Sequence, residues 1–170
     1  GSSNNIAYTI ALSRNNTSVN PIFPTAGSSF LISAKFTPPF SLFSDTDFSN
    51  LENLPEYKTL NSAGELVADQ AKIDQERFRW LEFYKVKFNG TWYTQIIGKL
   101  ILKTQADFGF LGTYNSERGA IPFERFYLGG DGMANYALDG RETIALRGYE
   151  NQSLSSNDGS TIYNKFSLEL

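Results

Sequence analysis

Catalysis and metal binding draw on a short list of side chains, and this chain lacks most of it. Its 170 residues include no cysteine and no histidine. Disulfides, thiolate nucleophiles, imidazole bases and the usual zinc ligands are therefore excluded together. No serine has a candidate base, so nucleophilic hydrolysis has no starting point. Carboxylates remain. Asp131-Gly132 and Asp139-Gly140 suggest calcium-loop corners, but they lack the spaced acids and closing glutamate of such a loop. Glycine turns explain them. Asp45 and Asp47 beside Glu52 read as a solvated loop. The expectation is a non-enzyme with no cofactor and no metal.

A net charge of −3, with no basic patch, argues against a nucleic-acid partner. Aromatic residues make up 15% of the chain. That richness, with frequent glycine, suits β-structure with aromatic girdles, or a carbohydrate-binding sandwich. No run approaches the ~20 apolar residues of a membrane helix. If this chain meets a membrane, it does so through strands.

The elements that would position any site alternate with period two. Ile6, Tyr8, Ile10 and Leu12 share a face, which predicts a strand over 6–14. Phe30, Ile32, Ala34 and Phe36 predict a second over 28–37, stopped by Pro38-Pro39. A long acidic segment follows over 40–76, with a short helix expected within Ala63–Gln75. Trp80, Tyr84, Val86, Phe88 and Trp92 then share one face of a strand over 78–94. Lys85, Lys87, Asn89 and Thr91 share the other. At ~3.3 Å per residue that strand is unusually long. A tight turn near Gln95–Gly98 leads into a strand over 99–112, with Gln105 and Asp107 on its polar face. A long loop over 115–160 precedes the last strand, over 161–170, which sets Ile162, Phe166 and Leu168 against Lys165 and Glu169.

Five strands joined by alternately short and long connections match an outer-membrane barrel, whose periplasmic turns are short and outer loops long. Their charged faces suit a wet lumen. Five strands cannot close a barrel, and an open sheet would leave backbone groups unsatisfied in lipid. The chain is therefore expected to be a fragment of one.

Four ordered motifs carry a resemblance. Phe23-Pro24-Thr25-Ala26-Gly27-Ser28 resembles the periplasmic turn of the Omp85 superfamily. Phe123-Glu124-Arg125-Phe126-Tyr127-Leu128-Gly129-Gly130 is similar to its aromatic, double-glycine lead into loop six. Leu146-Arg147-Gly148-Tyr149 resembles the tip of that loop, and Ser167-Leu168-Glu169-Leu170 the strand after it. The Asp131–Thr143 insertion resembles the BamA-type branch from Bacteroidetes. The likeness implies strands eight to twelve of a sixteen-stranded transmembrane barrel, all-β and antiparallel, with the POTRA domains absent from this stretch.

The resemblance further implies that loop six folds into the lumen and that its tip arginine meets acids on the following strands. Glu169 falls on the polar face of its strand, so Arg147–Glu169 is the expected pair, charge-assisted and suited to a planar guanidinium. Gly148 is expected to permit a backbone conformation or a close approach, and Tyr149 to pack on the wall. The implied function is outer-membrane protein assembly in the bacterial outer membrane. Its partners would be client proteins, lipoprotein subunits and lipid. An export barrel of the two-partner-secretion or TamA type is the nearest alternative, and a soluble glycan-binding sandwich the more distant one.

Overall fold

Alternation of apolar and polar side chains builds the sheet that dominates this protein. A computed structural model describes residues 3–17, 24–44, 46–62, 64–119, 121–131 and 141–170. Phe23, Asp45, Ala63, Gly132, Asp139 and Gly140, singled out above, lie outside the described residues, as does most of the Asp131–Thr143 insertion. In chain order the elements are β1 (Tyr8–Thr17), β2 (Gly27–Phe36), β3 (Lys58–Leu60), β4 (Leu66–Ala68) and α1 (Gln70–Arg77). They continue with β5 (Tyr84–Ile97), β6 (Leu100–Gly112), β7 (Phe126–Leu128), β8 (Glu142–Ile144) and β9 (Ile162–Glu169).

Five strands form one antiparallel meander in the order β1-β2-β5-β6-β9. The all-β reading holds. Two local features set its register. Gly27, at φ +105°, starts β2 where an added Cβ would lie 2.0 Å from the Asn16 carbonyl oxygen, so only glycine fits. Gly98, at φ +56°, turns β5 into β6 through a two-residue hairpin connection. On β6 and β9, Asp107 lies opposite Lys165 and Lys103 opposite Glu169. The even-numbered positions of the same strands make an apolar face. Phe88 and Phe108 approach to 5.9 Å between ring centroids, and Phe108 meets Phe166 edge-on at 5.4 Å. Ile10, Ile32, Val86, Trp92, Phe110 and Leu168 on this face are exposed.

The chain divides into two compact units. The first comprises Gly1–Tyr8, Phe36–Tyr84 and Gly112–Ile121. Phe48, Leu51 and Ile73 form its small core, with Tyr57 packed alongside. Asp69 caps α1 by accepting from the Lys72 amide at 3.2 Å. β3 and β4 pair as a short hairpin.

The strand expected over 78–94 begins only at Tyr84, and its first residues belong to this unit. Leu81 donates its amide to the Asn4 carbonyl, and the Phe83 amide donates to the Thr37 hydroxyl at 2.8 Å. Glu82 is drawn inward, where its carboxylate accepts from Arg118 Nη1 at 2.8 Å and from the Ser41 amide and hydroxyl at 2.8 Å each. Arg118 also donates to the backbone carbonyls of Arg77 and Trp80 and lies over the Phe48 ring. Leu81, Glu82 and Phe83 are all buried around this charge pair, so burial does not alternate there as a half-exposed strand would require.

The second unit comprises Thr9–Lys35, Lys85–Leu111 and Pro122–Leu170. It holds most of the sheet together with the loop that follows β6.

Candidate functional site

The loop after β6 is anchored first by aromatic burial. Phe126 is fully buried and Tyr127 nearly so. The Phe126 ring meets Tyr163 of β9 edge-on at 4.7 Å. Both rings lie above Gly109 of β6, where a Cβ would fall 2.0 Å from Tyr163 and 2.8 Å from Phe126. Burying one such side chain is worth about 1.5–3 kcal/mol. Backbone bonds then fix the direction of the chain. Phe126 exchanges amide and carbonyl bonds with Ser160 at 2.9 and 2.8 Å. β7 pairs in parallel with β8, matching Phe126 to Glu142 and Leu128 to Ile144. A stretch that looks irregular in sequence therefore contains two short strands.

The lead-in and the tip hold one another at the double glycine. The Gly130 amide donates to the Tyr149 carbonyl at 3.1 Å, and the Leu146 amide donates to the Gly130 carbonyl at 2.9 Å. One residue thus clamps both ends of Leu146-Arg147-Gly148-Tyr149. Gly129 and Gly130 adopt φ of +119° and +103°. A Cβ on Gly129 would meet the Glu150 carbonyl oxygen at 2.4 Å, and one on Gly130 the Asn151 side chain. These glycines serve close approach. Gly148, at φ +86°, has nothing within 4 Å of an added Cβ, so conformation alone accounts for it.

Arg147 and Tyr149 are exposed, as is Phe123 at the start of the lead-in. Arg147 lines a cleft of about 560 Å³ with Asp131, Lys165, Ser167 and Glu169. Arg147 and Glu169 therefore face the same space. The ion-pair partner of Glu169 here is Lys103, directly across the ladder at 3.0 Å. At the first hairpin, Pro24 is half-buried next to the close-packed Gly27.

A cluster of ion pairs lies at the base of the loop, where the sequence motifs include Glu124 and Glu142 but assign them no role. Lys85 of β5 is only 3% exposed. Its ammonium donates to the Glu124 carbonyl at 2.9 Å and to the Glu124 carboxylate at 3.2 Å, and pairs with Glu142 at 2.5 Å. It also lies over the Phe126 ring, 4.7 Å from the centroid. Glu124 takes a second cation, Lys35 of β2, and Glu142 takes Lys87 at 2.9 Å. Burial pushes both carboxyls up, but the lysines outweigh it. Lys35 and Lys85 hold Glu124 below the usual carboxylate value, and Lys85 and Lys87 do the same for Glu142. Nearby, buried Asp107 accepts from Asn89 at 3.1 Å and Gln105 at 2.9 Å, with Lys165 at 3.8 Å. The one signal in the sequence is the shared parity of Lys35, Lys85 and Lys87. Their partners lie far along the chain.

An up-and-down antiparallel sheet, apolar and exposed on one face, charged and loop-covered on the other, defines a wall of a transmembrane β-barrel. No helix among the described residues is long and apolar enough to cross a membrane. The Omp85 superfamily domain matches residues 1–170, and the chain belongs to that superfamily. Omp85 domains are outer-membrane β-barrels that insert or secrete proteins without enzymatic chemistry, working with client proteins and partner subunits. Comparison with curated proteins and with solved structures gives no match.

Proposed function

We propose that this domain is part of a BamA-type subunit of the bacterial outer membrane, one that folds and inserts client barrel proteins. Its loop 122–160 is the loop-six plug of a sixteen-stranded barrel, seated on the lumenal face. Lipoprotein subunits and the bilayer are its further partners. A partly open barrel offers strand edges to clients and thins the adjoining bilayer, so neither nucleotide nor covalent chemistry is required.

One observation carries this reading. The double glycine of the lead-in grips the Arg147 tip through backbone bonds, while the same loop is ion-paired to the charged face of β2 and β5. Such holding supports a plug over a solvent loop. The exposed apolar face opposite suits lipid and is foreign to a soluble sandwich.

The test uses the absence of cysteine from this stretch. Cysteines replacing Arg147 and Glu169 in the full-length, membrane-embedded protein are expected to cross-link under mild oxidation. Free labelling of both from the medium, without cross-linking, would mean an outward loop. Assembly is separated from export by depletion: loss of the protein should leave outer-membrane barrels unfolded at large, and loss of one secreted partner alone would favour the export barrel.

A further inference from the structure

The tip motif draws attention in the sequence, but the loop's firmest attachment lies elsewhere. We infer that Lys85 is the positioning residue of this loop, the cation that fastens both its outgoing and returning limbs to the barrel wall. The inference rests on the reading of the loop as a lumenal plug.

Three observations converge on it. Lys85 is the most deeply buried of the lysines on this face, and a buried ammonium is costly unless fully paired. Its pairing comes from the loop: Glu124 on the lead-in and Glu142 on β8. No carboxylate of the wall strands pairs with it among the described residues. If the loop leaves, Lys85 loses both carboxylates and the Phe126 ring together, so these contacts favour the seated state.

The second observation is backbone strain. Glu124 has φ +63°, a left-handed conformation that a non-glycine residue rarely adopts. That conformation accompanies the arrival of its carbonyl and its carboxylate at one ammonium. The strain is located at the contact, which is where a held geometry would put it.

Third, Glu124 bridges two neighbouring strands, since Lys35 belongs to β2 and Lys85 to β5. Any splaying of β2 from β5 must stretch one of its contacts. The plug is thereby coupled to the shape of the wall. Arg147, at the exposed tip, forms no ion pair with a wall strand among the described residues.

The experiment reads the burial of Thr143, which lies on β8 and is 8% exposed. A cysteine at Thr143 in the full-length membrane protein is challenged with a membrane-impermeant maleimide. Lys85→Met should raise its labelling rate on the order of tenfold or more, because it removes the one buried cation that both half-buried carboxylates share. Lys85→Arg should restore most of the protection, and Arg147→Met should leave it within about threefold of the parent, the range expected for loss of an exposed charge. Folding of the barrel is checked by its retarded unfolding in detergent. If Lys85→Met does not fold, the combined Glu124→Gln and Glu142→Gln variant, which leaves every wall strand intact, carries the test with the same expected rise.

Parent-like labelling in a folded Lys85→Met barrel, or in the double glutamine variant where Lys85→Met does not fold, would overturn the inference. So would exposure of Thr143 by Arg147→Met to the same degree as by Lys85→Met. Rapid labelling of the parent itself would instead overturn the lumenal reading on which the inference rests.

Discussion

Two buried cations, Arg118 in the first unit and Lys85 in the second, solve the same desolvation problem with different partners. Arg118 donates to Glu82 and to the backbone carbonyls of Arg77 and Trp80. Carbonyls do not titrate, and these belong to the same compact unit. Lys85 is satisfied mainly by two carboxylates of a loop, helped by one carbonyl of that loop. The first arrangement is a fixed staple. The second can be undone by moving one segment or by protonating it.

The largest effect that would sharpen this contrast is at Arg118. Arg118→Ala leaves Glu82 buried without its cation and should cost about 3–5 kcal/mol. Arg118→Lys should also destabilise the first unit, because one ammonium cannot reproduce the guanidinium fork. Proteolytic resistance of the region 36–84 is the measure. Equal tolerance of Lys at 118 and of Arg at 85 would erase the distinction.

A smaller effect is expected where the tip is held by backbone bonds, as Arg118 is. Gly129→Ala drives a Cβ into the Glu150 carbonyl and also strains φ, whereas Gly148→Ala only strains φ, at about 1 kcal/mol. Mobility of a spin label at Leu154 should therefore rise more for Gly129→Ala than for Gly148→Ala. The reverse order would mean that close approach is not what the double glycine provides.

The smallest effect, and the reversible one, is on pH. Glu124 and Glu142 titrate below the ordinary carboxyl value of 4.5 when the loop is seated. A released loop would titrate near that ordinary value. Their contribution is thus complete above it and lost as pH falls through the lowered values. The same spin label should stay immobile from pH 8 to about pH 5 and loosen only below about pH 4.5. Loosening already near neutrality would point to a different anchor.

Parity makes the sheet legible: alternation alone assigns Lys85, Lys87, Asp107 and Glu169 to the polar faces of their strands. What parity cannot tell is which distant segment covers that face. Glu124 and Glu142 follow Lys85 by many residues, and nothing in their local spacing marks them as its partners. The failure at 78–83 has the opposite origin. There Phe78 and Trp80 keep the even-numbered parity, but Leu81, Glu82 and Phe83 are all buried, so no strand face is set apart. For the tip, the motif names the residues, while the reason for each glycine lies in the chain that crosses it.

The bridge between Gly130 and Leu146 has a consequence for engineering and for divergence. Leu146 is tied to Gly130, and β8 just before it is tied in parallel to β7, so these contacts place the tip whatever the length of chain that precedes them. Loop-closure entropy grows slowly, by about 0.6 kcal/mol for each doubling of length. Epitopes, tags or reporter peptides spliced between Asp131 and Arg141 should therefore leave the arginine tip where it is.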